Sequence, residues 1–251
     1  MTIHPHLAQA LAQKNALKVI SGLNNFDTKQ VSAVVKAAQA GGATFVDIAA
    51  DPTLIETIRN LTELPICVSA VEPELFVGAV NAGADLIEIG NFDSFYRLGR
   101  RFEASEVLEL TQQTRSLLPQ VTLSVTVPHI LSLDKQVQLA EKLVDAGADI
   151  IQTEGGTSIQ PSNPGIRGLI EKAAPTLAAA HSISQAVNIP VLCASGLSSV
   201  TVPMAIAAGA SGVGVGSAIN QLNNEVAMVA AVRSLVEALN KHQSSFVSRE
   251  Y

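Results

Sequence analysis

Apolar and polar positions fall into two alternating regimes along this chain. Short runs rich in Val, Ile and Leu recur at LKVISG (17–22), ATFVDI (43–48), PICVSA (65–70), DLIEIG (85–90), VTLSVTV (121–127), DIIQT (149–153), PVLCAS (190–195) and GVGVG (212–216). They are nearly continuous in hydrophobicity, the pattern of parallel strands covered on both faces. Between them lie stretches whose apolar residues recur at helical spacing: 29–40, 52–61, 74–82, 105–118, 133–146, 171–187 and 200–208, with 222–239 after the last run. Strand and helix in strict alternation predict an α/β protein with a parallel sheet.

An internal repeat chooses between a closed and an open sheet. GGATFVDIA (41–49), AGADLIEIG (82–90), AGADIIQTEGG (146–156) and AGASGVGVGS (208–217) share one pattern: a helix end, Gly-Ala, then Thr, Asp or Ser, then a strand. Glycine stops a helix by taking a left-handed conformation just past its end. The repeats mark every second strand, and the first strand lacks the Gly-rich turn of a doubly wound dinucleotide fold. The expected fold is a single (β/α)8 TIM barrel over residues 1–251, with a capping helix in 1–16 and a C-terminal tail from 241 to 251. Aligning the repeats places Asp47, Glu88, Gln152 and Gly214 in one interior layer. Ala49, Gly90, Glu154 and Gly216 then form the layer nearer the mouth, where barrels of this kind carry their sites.

Composition adds three limits. The chain has 251 residues, 47% of them hydrophobic and only 15% charged, so a large aliphatic core is expected. The net charge of −6 disfavours a nucleic-acid partner, and the basic group Arg97, Arg100 and Arg101 is short and local. No apolar stretch reaches the length of a membrane span without Gly or polar interruption, and the N-terminus lacks the pattern of a signal peptide. Cys67 and Cys193 sit in apolar runs and read as buried small hydrophobes in a reducing compartment. The expected location is cytoplasmic, or the plastid stroma if the chain is plastid-encoded. A homodimer is expected by fold analogy alone.

The most informative segment is CASGLSSVTVPMAIAAGASGVGVGSAINQ, starting at Cys193. Ser195, Gly196 and Leu197 follow the seventh strand. Gly216 and Ser217 follow the eighth and open a short extra helix. Small residues let backbone N–H groups converge on an anion, and the last two loops of a barrel are where such sites form. This segment resembles the phosphate-binding barrel superfamily, which includes indole-3-glycerol phosphate synthase, thiazole synthase and FMN-dependent nitronate monooxygenases. Over most of its length the chain resembles the cyanobacterial and plastid "hypothetical chloroplast frame twenty-three" family, through KVISGLNNFD (18–27), FVDIAADP (45–52), IIQTEGGTS (150–158) and IPVLCASGLS (189–198). The first resemblance implies a phosphorylated ligand, and the second implies the fold and the compartment. The family has no established activity.

Candidate chemistry lies around the same mouth. Asp47 and Glu88 are carboxylates in apolar strands, a costly placement unless they are paired, hydrogen-bonded or protonated, and one that suits a general acid or base. Glu154 stands at the start of a long Gly-, Ser- and Pro-rich loop that reads as a lid, with Thr153 and Gly155 beside it. His129 follows the fifth strand and is a usable proton carrier. Asn24, Ser69, Thr126 and Gln152 are further candidates for ligand contact. The remaining histidines read as surface, and no cluster has metal-ligand spacing. Lys18 is read as opening the first strand at the far end of the barrel, which argues against Schiff-base chemistry. Three functions follow: a lyase, isomerase or synthase on a phosphorylated small metabolite through carboxylate acid–base chemistry, a flavoprotein with FMN on the phosphate site, or a non-catalytic sensor of a phosphometabolite.

Overall fold

Each apolar run becomes a strand of one closed barrel. In the computed structural model, which describes residues 3–96, 98–155 and 160–247, the strands are β1 (Ala16–Ile20), β2 (Phe45–Ala49), β3 (Ile66–Ala70), β4 (Leu86–Ile89), β5 (Thr122–Val127), β6 (Ile150–Thr153), β7 (Val191–Ala194) and β8 (Gly212–Val215). They pair in sequence order, all parallel, and β8 returns to β1 with Ala16 opposite Gly212. The helices are α1 (Pro5–Ala12), α2 (Thr28–Gly41), α3 (Pro52–Arg59), α4 (Pro73–Asn81), α5 (Asp93–Tyr96), α6 (Ala104–Leu117), α7 (Leu133–Asp145), α8 (Gly165–Ala186), α9 (Val202–Ala207), α10 (Ser217–Asn220) and α11 (Glu225–Val247).

The repeat has a physical explanation. Its second glycines, Gly42, Gly83, Gly147 and Gly209, have φ of 87°, 108°, 98° and 105°, a conformation that costs a residue with a Cβ and turns the chain from helix into strand. The next polar residue ties that turn to the neighbouring strand. Thr44 Oγ1 accepts from Leu17 N, Asp85 Oδ2 from Ile66 N and Asp149 Oδ2 from Leu123 N. Arg59 and Arg115 then close on Asp85 and Asp149 at 2.8 and 2.7 Å. These partly exposed bridges hold the bottom of the barrel in register and are each worth little alone.

Odd and even positions divide the core in two. Outward residues such as Leu17, Val19, Val46 and Ile48 pack under the helices. Inward residues Ala16, Phe45, Cys67, Leu86, Ile150 and Leu192 meet Leu7, Ala10 and Leu11 of α1, which plugs the N-terminal end of the barrel. Both cysteines are free and buried, and burial raises their thiol pKa values, that of Cys193 to about 11.

Three expectations differ from the structure. Lys18 lies at the centre of β1, opposite Gly214 of β8, and is wholly buried in the interior rather than at the far end. Strand alternation explains it: with Leu17 and Val19 facing out, Lys18 must face in. Helix α8 begins at Gly165, so the loop after β6 is shorter than expected, and its residues 156–159 lie outside the described residues. Helix α11 continues through Val247, into the segment expected as a tail.

Candidate functional site

A cavity of about 400 Å³ opens at the C-terminal ends of the strands. One wall is the expected anion segment, Ser195, Gly196, Leu197, Gly216 and Ser217, all lining it. Gly196 has a positive φ of 72°, and a Cβ there would stand 2.6 Å from the Lys172 carbonyl oxygen of α8, so only glycine lets the loop pack so closely. Ser195 takes φ 82° and Asn91, across the cavity, φ 60°. Two non-glycine residues in this sparsely populated region therefore border one cavity, the kind of strain that gathers at ligand sites.

A second wall is built around Glu154, at the end of β6 beside β7. Glu154 is 5% exposed and lines the cavity, and its contacts go to two neighbouring loops. Asp93 N donates to Oε1 at 2.7 Å, the Tyr96 hydroxyl to Oε2 at 3.3 Å, and His129 Nδ1 lies 3.0 Å from Oε2. The carboxylate thus ties α5 to the loop after β5. Partial burial acts to lower the His129 pKa, but the hydrogen bond and charge of Glu154, with Asp93 adding to them, outweigh it and the net shift is upward. Tyr96 is held protonated by burial and by the same carboxylate. Asp93, His129 and Glu154 bring ligand atoms within 4.8 Å of one another, a grouping of distant residues that no sequence spacing could show. The three could hold a metal ion, against the expectation that no cluster would, and His129 and Glu154 are also hydrogen-bonded to each other as a proton-transfer pair would be.

A second polar system lies beneath the floor. Lys18 Nζ meets Glu88 Oε2 at 2.7 Å, with both side chains fully buried. Ser124 Oγ donates to the same oxygen at 2.8 Å, and Gln152 Nε2 donates to Glu88 Oε1 at 2.7 Å and to Thr126 Oγ1 at 3.1 Å. Burial alone would lower the Lys18 pKa, but Glu88 and Asp47 reverse the effect and keep the amine charged. A charged amine is not a nucleophile, so imine chemistry is disfavoured for this reason rather than for the position first assigned to Lys18. Asp47 accepts from Ser69 Oγ at 2.6 Å and from Asn91 Nδ2 at 3.4 Å. Burial and the charge of Glu88 push its pKa up to about 6 despite Lys18 and Ser69.

The sequence candidates sort by depth. Thr126, Gln152, Thr153 and Glu154 line the cavity with the anion wall. Asp47, Glu88 and Ser69 are buried and do not line it, reaching it through Asn91 and Gln152. His129 stands behind Glu154. Gly155 packs against Thr176 of α8, and Asn24 is exposed to solvent. Sequence reasoning missed Asn91 and Asp93, which sit on or beside the unanticipated α5, and Ser21, in the loop after β1, and Asn220, the last residue of α10, neither of which belongs to a motif. Arg100, from the basic group, is engaged with Glu106 and stacks over Phe102, while Arg97 lies outside the described residues.

The described residues hold no helix long and apolar enough to cross a membrane. Among solved structures, 3-hexulose-6-phosphate synthase matches at TM-score 0.63 and 18% identity, covering 89% of this chain and 99% of that one. (S)-3-O-geranylgeranylglyceryl phosphate synthase from Thermoplasma acidophilum, solved with its substrate sn-glycerol-1-phosphate, matches at TM-score 0.60 and 15% identity, covering 96% and 99%. Both likenesses show the shared barrel. In sequence, the uncharacterized protein ycf23 of Cyanophora paradoxa is 48% identical over 231 residues, 92% of this chain and 95% of the relative. With a family model described as "Protein of unknown function (DUF561)" also matching residues 3–245, the chain belongs to the DUF561 family and is a relative of ycf23.

Proposed function

We propose that this chain is an enzyme of lyase, isomerase or synthase type that acts on a phosphorylated small metabolite by acid–base catalysis at the barrel mouth. The observation that carries the reading is the placement of Glu154. It is a buried carboxylate on the wall of the cavity that Ser195–Leu197 and Gly216–Ser217 also line, and His129 stands at its back. In this reading the two small-residue loops take the phosphate through backbone N–H groups. Glu154 removes or returns a proton on the substrate. His129 and Tyr96 are positioning residues that hold the carboxylate in place. Asp47 and Glu88 act from below, through Asn91 and Gln152. The printed names of the two solved neighbours, one a hexulose-phosphate synthase and the other bound to glycerol phosphate, are in keeping with a phosphorylated substrate.

The test is an amide-resolved NMR titration of the native protein with inorganic phosphate, preceded by native mass spectrometry and a visible spectrum. The expected result is saturable shifts at Ser195–Leu197, Gly216 and Ser217, and a phosphorylated compound in the mass spectrum if one co-purifies. Shifts confined to other surfaces would refute the phosphate placement. Flavin absorbance in the native protein would assign the site to FMN instead. Glu154→Gln should keep phosphate binding and lose turnover, and a variant that turned over the substrate normally would remove Glu154 from the chemistry.

A further inference from the structure

Among the described residues, four buried side-chain atoms have no hydrogen-bond partner: Thr114 Oγ1, Gln136 Oε1, Gln152 Oε1 and Asn220 Oδ1. Two of the four, the carbonyl oxygens of Gln152 and Asn220, belong to residues that line the one cavity described above. Buried polar atoms are almost always satisfied, so two orphans bordering one cavity need a cause.

The orientation of each amide is fixed by chemistry. The side-chain nitrogen of Gln152 lies 2.7 Å from Glu88 Oε1. Glu88 is paired with Lys18 and takes a hydrogen bond from Ser124, and a carboxylate in that setting only accepts. Turning the amide over would set oxygen against oxygen. Asn220 Nδ2 donates to two main-chain carbonyls, Ile20 O at 2.8 Å and Ser21 O at 3.2 Å, and the reversed amide would face both with its own oxygen. Both amides are therefore locked with nitrogen toward the protein and oxygen left as an acceptor. Gln152 Oε1 lies over β8 at Gly214, where a Cβ would stand 3.5 Å from it. Both residues line the cavity, so a donor that completes these oxygens has to come from what occupies it.

We propose that the ligand of this cavity is a phosphate ester bearing hydroxyl or N–H donors on the part remote from the phosphate, with Gln152 and Asn220 as the residues that select it. The proposal rests on the reading of the Ser195–Leu197 and Gly216–Ser217 wall as the phosphate site. It excludes esters whose remaining part is purely hydrocarbon. A hydrocarbon ester would leave both acceptors unpaired, and a site built around buried polar groups discriminates strongly against a ligand that cannot meet them. The buried Lys18–Glu88 pair gains a role here. It is a positioning pair that aims Gln152 without touching the ligand.

The experiment compares matched esters on the native protein by calorimetric titration: sn-glycerol 1-phosphate against propyl phosphate, and ribose 5-phosphate against pentyl phosphate, with inorganic phosphate as reference. Within each pair the phosphate is common and the hydroxyl groups differ. The expected result is at least about tenfold tighter binding of the hydroxylated member in at least one pair, equivalent to about 1.4 kcal/mol. Gln152→Met should bring that ratio towards one. Glu88→Gln, which frees the Gln152 amide to turn, should also reduce it. Equal affinities within both pairs, alongside measurable binding of inorganic phosphate, would overturn the donor proposal and leave the phosphate site standing. No binding of inorganic phosphate or of any ester would instead overturn the phosphate site. A ratio undiminished in folded Gln152→Met would overturn the role given to that residue. The matched-ester comparison uses only the native protein, so it decides the proposal even if a variant fails to fold.

Discussion

Replacing Asp47 with Asn should make the protein more stable near neutral pH, although it removes a charge beside Lys18. Asp47 is wholly buried, and burial with the repulsion of Glu88 outweighs the attraction of Lys18, so its pKa rises from the ordinary 3.8 to about 6. Between these values the folded protein holds a proton that the unfolded chain has released, and stability falls as pH rises. The contribution is fully present below about pH 4 and is lost as pH passes through 6. At about 1.4 kcal/mol for each tenfold difference in proton affinity, the loss is about 3 kcal/mol. Asparagine keeps the shape, accepts from Ser69 through its carbonyl and never ionises. At pH 7.5 the variant should gain up to about 3 kcal/mol, or about 6–12 °C in Tm for a domain of this size. At pH 4 the gain should vanish. Urea unfolding of both proteins across that range measures the difference directly, and contributions from carboxylates remote from Asp47 cancel in it. A variant that is less stable than the native protein at pH 7.5, or a difference that does not change with pH, would refute the placement of a reluctant carboxylate in the barrel.

Lys18→Met leaves Glu88 buried without its cation and should cost about 3–5 kcal/mol in urea unfolding, most of it recovered when Glu88→Met is added, and a neutral single change would contradict the ion pair. Gly196→Ala places a Cβ against the Lys172 carbonyl at a residue with φ of 72°, so it should destabilise by about 1–3 kcal/mol and weaken phosphate binding together. Glu154→Gln removes the charge that raises His129, so the imidazole pKa should fall, as read by NMR titration. In the native protein the raised imidazole adds stability that is present at low pH and is lost as pH rises through its folded value. An unchanged His129 titration in Glu154→Gln would show that Glu154 does not hold the ring.

The barrel was legible in the sequence because its signals are local. The Gly-Ala-Asp/Thr/Ser turns mark the strand starts, and the strands are buried enough to read as apolar runs. The small-residue wall of the cavity was legible for the same reason, since Ser195–Leu197 and Gly216–Ser217 each follow a strand whose end is plain. Lys18 was misplaced because β1 starts at Ala16 and ends at Ile20, earlier at both ends than the apolar run suggested, which moves Lys18 from the strand's opening to its centre. Glu154 and its partner His129 were found, but its other two partners were not. Asp93 and Tyr96 lie on α5, a single turn too short to carry a helical pattern, and only closure of the barrel brings that turn against β6. The orphaned oxygens of Gln152 and Asn220 lie beyond any sequence pattern, because what matters there is which way each amide is turned.

The plug formed by Leu7, Ala10 and Leu11 has a consequence for proton traffic. With its N-terminal end stoppered by α1, the interior can exchange with solvent only through the mouth. A ligand seated there would therefore lid a chamber that already has a closed base. Asp47, already buried and joined to the cavity through Asn91, would then keep until release the protonation state it held when the ligand entered. The barrel would behave as a vessel with one neck, in which occupancy fixes the charge of the interior for the lifetime of the complex.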